Sequence, residues 1–106
     1  MSQQSNPQTA GVPGLLSANY TPVSSNTTIV VKTGTGVFGG LYCSNAGSAW
    51  TYTVYDNTAG SGQVLATGTF ATGPINLTSN LGININTGIT LVTAGTTPGA
   101  AYILWS

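Results

Sequence analysis

From Thr27 onward, apolar and polar residues alternate with a period of two, broken about every ten residues by clusters of Gly, Pro, Asn and Ser. A period of two belongs to a pleated strand, whose successive side chains leave on opposite faces. The clearest instance is Ala49-Trp50-Thr51-Tyr52-Thr53-Val54-Tyr55-Asp56. Trp50, Tyr52 and Val54 fall on one face and Thr51, Thr53 and Tyr55 on the other, with strand-forming residues at nearly every position. The next segment, Asn57-Thr58-Ala59-Gly60-Ser61-Gly62, is built from residues that accept left-handed backbone angles, and Gln63 to Phe70 returns. The stretch therefore reads as a central hairpin.

The same grammar predicts the other strands. Residues 27–33 carry Ile29-Val30-Val31, a β-branched run expected to be buried on both faces at its centre, with Asn26 as a cap at its start. Residues 37–43 form a strand interrupted by Gly39-Gly40, a pair that marks a bulge or a close backbone approach. Pro74 opens a short strand over residues 75–78. In residues 81–86, Ile83 and Ile85 alternate with Asn84 and Asn86, which places one face in a core and the other toward solvent or a partner. Residues 88–93 and 101–105 complete the set, the last as a strand pinned inside the sheet. No helical period occurs. The expected fold is all-β, an antiparallel β-sandwich or jelly-roll-like barrel of seven to eight short strands over residues 26–106.

Residues 1–25 break this pattern. They are rich in Gln, Ser and Asn, are interrupted by Gly11, Pro13, Gly14 and Pro22, and read as an extended N-terminal arm, either disordered alone or laid across a neighbouring subunit, the second being preferred for its apolar anchors. Leu15, Leu16 and Tyr20 are its expected partner-binding anchors, with Val23 a further apolar point.

Charge changes the picture more than any motif. Among 106 residues Lys32 and Asp56 are the only charged side chains and there is no His. An ordinary domain carries about 25% charged residues. A neutral surface lacks the self-repulsion that holds proteins apart, which suits a chain packed against copies of itself or a scaffold. The same inventory argues against triad or paired-carboxylate catalysis, which need a His or a second acid, so an enzyme is not expected. It lacks the ligands of a structural zinc or calcium site, and no cofactor is expected. Nucleic-acid affinity needs several cations to neutralise phosphates, and one Lys cannot supply it. The glycines at 34, 36, 39 and 40 do not make a phosphate loop, because the Lys precedes them and no helical pattern follows.

Cys43 is the single cysteine, so no intrachain disulfide forms. It lies at the end of an apolar strand without a basic neighbour and reads as a small buried hydrophobe. The segment Met1 to Gln8 has neither the basic nor the apolar region of a secretory signal, and no apolar run of membrane-spanning length follows. Synthesis in a cytoplasm without export is the expectation. The Asn-X-Thr triplets at Asn19, Asn26 and Asn76 are then chance products of an Asn-rich and Thr-rich chain.

Three segments taken together resemble a known family. They are Ile29-Val30-Val31-Lys32-Thr33-Gly34-Thr35-Gly36-Val37-Phe38-Gly39-Gly40-Leu41-Tyr42, then Trp50-Thr51-Tyr52-Thr53-Val54-Tyr55-Asp56-Asn57-Thr58, and Gly88-Ile89-Thr90-Leu91-Val92-Thr93-Ala94-Gly95 before a terminal aromatic strand. Over residues 27–106 the chain looks like the small β-sandwich virion structural proteins of tailed bacteriophages, which decorate capsids or sit in tails and fibres. The resemblance implies a non-enzymatic capsid decoration or cement protein in the virion. Its implied partners are the major capsid protein or another virion protein, together with copies of itself, a trimer being favoured. The alternative it leaves open is a tail or head fibre module that stacks host-surface carbohydrate on exposed Trp50, Tyr55 or Trp105. Trp50 shares its face with Tyr52 and Val54, which favours a core position for it.

Overall fold

A computed structural model describes residues 19–75 and 82–106. The described residues form nine strands: β1 (Asn19–Val23), β2 (Thr28–Thr33), β3 (Gly36–Asn45), β4 (Thr51–Asp56), β5 (Gln63–Thr69), β6 (Gly73–Ile75), β7 (Ile83–Ile85), β8 (Gly88–Ala94) and β9 (Ala100–Trp105). They build two antiparallel sheets. One runs β1-β9-β3-β6, with β7 also on β3, and the other runs β2-β8-β4-β5.

The pairings nest. β1 pairs β9, β2 pairs β8, β3 pairs β6 and β7, and β4 pairs β5, every pair antiparallel. The chain is thus one long hairpin closed at β4–β5 and rolled so that successive pairs fall alternately in the two sheets. This is the connectivity of a jelly roll. The alternating segment around Trp50 leads into β4, so β4–β5 is the closed end from which the nesting proceeds. β3 is long enough to hold two short partners on one side, β7 at Gly36–Phe38 and β6 at Leu41–Cys43.

The core lies between the sheets. The β1-β9-β3 sheet contributes Val23, Phe38, Leu41, Cys43, Ala101 and Ile103, and β7 adds Ile85. From the other side come Trp50, Tyr52, Val54, Ala66, Phe70, Ile89 and Leu91. The rings of Trp50 and Phe70 stack at 4.0 Å, and Phe70 N donates to Trp50 O at 2.8 Å, so the residue after β5 closes over the residue before β4. Each buried Val, Leu, Ile or Phe of this core contributes about 1.5–3 kcal/mol by leaving water.

Four expectations are corrected. Asn19–Val23 is not arm but strand β1, with Val23 buried and Trp105 Nε1 donating to Thr21 Oγ1 at 2.8 Å. Pro22 and a single inward apolar residue disguise it, and both are tolerated because an edge strand pairs on one side only. The strand count rises to nine for this reason and the sandwich begins before residue 26. The β4–β5 hairpin is not at the centre of its sheet, since β5 is an edge. Residues 27–33 are not buried on both faces either: β2 is the opposite edge, and Val30 is 47% exposed. The strand covered on both faces is β8, whose outward Thr90 is buried because the β4–β5 loop folds back over it and Thr90 Oγ1 donates to Asn57 O at 2.8 Å. Residues 76–81, which include most of the strand expected over 75–78, lie outside the described residues.

Candidate interaction faces

Both charged side chains are engaged within the fold. Asp56, at the end of β4, accepts backbone N–H groups from the β7–β8 turn: Thr87 at 2.9 Å, Asn86 at 3.1 Å and Gly88 at 3.4 Å. These bonds favour the ionised form, Thr87 foremost, and hold the carboxyl below the usual Asp range against an opposing contribution from burial. Lys32, near the end of β2, places Nζ 5.6 Å from the centroid of the Trp105 ring, a cation–π contact that ties one sheet to the other. Cys43 is fully buried, and burial pushes its thiol pKa up, only partly offset by a backbone hydrogen bond at Asn45. It has the environment of an unreactive thiol.

The sheet edges are guarded. β1 carries Pro22, and β6 is three residues long and carries Pro74. β2 breaks register between Val30 and Lys32, and β5 is bulged at Leu65 where Val54 and Tyr55 oppose Ala66 and Val64. Proline, bulges and short length each prevent an edge from templating another strand.

The outer face of the β1-β9-β3-β6 sheet is aromatic. Strict alternation along β3 would send residues 38, 40 and 42 the same way. Instead Phe38, Leu41 and Cys43 point inward, because the register slips between Phe38 and Gly40 and inserts one residue. Gly40 takes φ +110, open to glycine and costly for any residue with a Cβ. The slip turns Tyr42 outward, in register with Tyr102 of β9, which is flanked by inward Ala101 and Ile103. Pro22, Tyr102, Tyr42 and Pro74 then form one row across four strands, with Tyr20 and Leu104 paired in the next row. Tyr42 and Tyr102 stack at 5.6 Å and 22°, while Tyr20 meets Tyr102 at 5.6 Å and 65°. Tyr20 is 68% and Tyr42 37% exposed.

The outer face of the β2-β8-β4-β5 sheet differs. Thr51 opposes Thr69 and Thr53 opposes Thr67, with a hydroxyl-to-hydroxyl bond of 3.1 Å in the second pair. Val30 on β2 and Val64 on β5 stand exposed at its two margins. This face offers methyl groups and hydroxyls without charge.

Of the expected anchors, Leu15 and Leu16 lie outside the described residues, and Tyr20 is a surface residue of β1. Of the three aromatics expected to stack sugar, Trp50 is fully buried and drops out. Trp105 is half-buried under Lys32, and Tyr55 is half-buried on β4 between Thr90 and Val64. Sequence reasoning missed Tyr42 and Tyr102 as surface groups. The signal available for Tyr42 was Gly39-Gly40, whose bulge reverses the phase of residues 41–43. No protein-family model, curated protein or solved structure matches the chain.

Proposed function

We propose that this chain is a non-enzymatic structural protein of a bacteriophage virion, which decorates or cements the capsid by uncharged contacts with the major capsid protein and with copies of itself. The observation that carries the reading is the internal engagement of both charges, Asp56 by the β7–β8 turn and Lys32 over Trp105. The surface that remains is neutral and binds through methyl groups, hydroxyls and amides, an arrangement suited to permanent packing in a dense shell. Val30, Val64 and the threonine pairs of the β2-β8-β4-β5 face are the contact surface in this reading. Two further points support it by analogy: the resemblance of residues 27–106 to phage virion proteins, and the use of jelly rolls in viral capsid domains.

Quantitative mass spectrometry of purified virions tests the proposal. A copy number comparable to that of the major capsid protein is expected. A few copies per particle would point to a fibre, and absence from the particle would overturn the reading.

A further inference from the structure

We infer that the outer face of the β1-β9-β3-β6 sheet is covered by the chain's own N-terminal segment, with Val12, Leu15 and Leu16 laid against Tyr20, Leu104, Tyr102 and Tyr42. The place where the chain enters the sheet selects this occupant. Residues 1–18 run into β1 at Asn19, one residue before Tyr20, so the segment starts from the rim of the tyrosine face.

Reach decides which of its residues arrive. Asn19 stands opposite Trp105, three register positions from the row that holds Pro22, Tyr102 and Tyr42. At ordinary strand spacing and rise, Tyr102 is then about 11 Å from Asn19 and Tyr42 about 14 Å. An extended chain covers at most about 3.4 Å per residue, which carries Leu16 and Leu15 to about 10 and 14 Å from Asn19 and Val12 to about 24 Å. A reversal at Ser17-Ala18 uses part of that length. It leaves Leu15 and Leu16 over Tyr20 and Leu104, which pair in one row, and Val12 over Tyr102 and Tyr42 in the next.

The two surfaces also match in chemistry. Val12, Leu15 and Leu16 are the large apolar residues between Met1 and Asn19, and no charged side chain occurs in that span. The face is equally neutral, since Lys32 is engaged over Trp105 and Asp56 in the β7–β8 turn. Tyr42 and Tyr102 turn their ring faces toward each other at 5.6 Å and show ring edges outward, a surface that suits branched aliphatic groups better than a flat ligand. Covering it removes apolar area of both parties from water. A segment tethered by a few residues acts at an effective concentration in the millimolar range, which a second copy in dilute solution does not match. Pro13, with its φ already fixed, lowers the entropy that ordering costs. An arm held in this way shields Tyr20 instead of offering it to a neighbouring subunit.

The test is a methyl-to-aromatic NOE experiment on the full chain, with ¹³C-labelled and unlabelled protein mixed in equal parts so that contacts within a chain are separated from contacts between chains. NOEs from Leu15 or Leu16 methyls to the Tyr20 ring, and from Val12 methyls to the Tyr102 or Tyr42 ring, are expected within a chain and unchanged on dilution. Leu15→Ser combined with Leu16→Ser should abolish the contacts to Tyr20 and shift its ring signals, whereas Val64→Ser on the opposite face should leave both as they are. If the double variant does not fold, the NOEs of the unaltered chain decide alone. No methyl-to-ring contact, or Tyr20 signals indifferent to the double substitution, would overturn the inference. So would contacts found only between chains, which would make the arm of a second copy the occupant.

Discussion

Removing residues 1–25 separates an arm from a strand. An arm can be cut without harm to the domain behind it, but this cut also takes β1. Val23, 4% exposed, leaves the core, a loss of about 1.5–2 kcal/mol for a valine returned to water. The bond from Trp105 Nε1 to Thr21 Oγ1 is lost, worth about 1 kcal/mol. The backbone ladder of five register positions from Asn19↔Trp105 to Val23↔Ala101 goes as well. Its hydrogen bonds are offset by the entropy of ordering those same residues, so they add little to the net. The sum is about 3 kcal/mol, a large share of the 5–15 kcal/mol that holds a domain together. For a domain of this size the melting temperature should fall by roughly 12–24 °C. Circular dichroism at increasing temperature measures it, with Val23→Ala as a point variant that should show the valine share alone. A truncated chain that melts with the full-length protein would refute the reasoning and restore residues 19–25 to the arm.

Three further outcomes are expected. Asp56 is the sole acidic side chain, and its pKa is depressed in the fold. Its contribution is therefore complete above the unfolded value of about 3.9 and lost as pH falls through the folded value. Asp56→Asn should melt lower at neutral pH and show a flatter acid limb in a pH series of melts, and an unchanged acid limb would count against the turn contact. Cys43 should react with a disulfide reagent at pH 8 only as fast as the domain opens, so labelling of the native protein as fast as of the unfolded chain would contradict its burial. Raising salt from about 0.05 to about 1 M, which shortens the screening length several-fold, should leave any homo-oligomer intact in light scattering; dissociation to monomers would show that charge holds it.

What the sequence determined by itself is the set of strands and their inward residues wherever one face alone is buried. Into and along β4 the alternation of Trp50, Tyr52 and Val54 with Thr51, Thr53 and Tyr55 names the core face without ambiguity, and Ile85 between Asn84 and Asn86 does the same for β7. The neutrality of the chain is likewise readable from composition alone. Tertiary structure decided what local pattern leaves open. Ile29-Val30-Val31 looks the same at the centre of a sheet as at its edge, and only the pairing of β2 with β8 alone leaves Val30 in water. Residues 19–23 carry too little apolar signal to register as a strand until β9 supplies a partner. Ala101-Tyr102-Ile103-Leu104 is apolar on both faces, so the inward side follows from the opposite sheet and not from the residues. The tyrosine face depends on all three: it needs β1 beside β9, β9 beside β3, and a one-residue slip at Gly39-Gly40 to bring Tyr42 into line with Tyr102. Periodicity is a local property of the chain, whereas strand order and register are set by which distant segments meet, and it is these that place Tyr20, Tyr42 and Tyr102 on one surface.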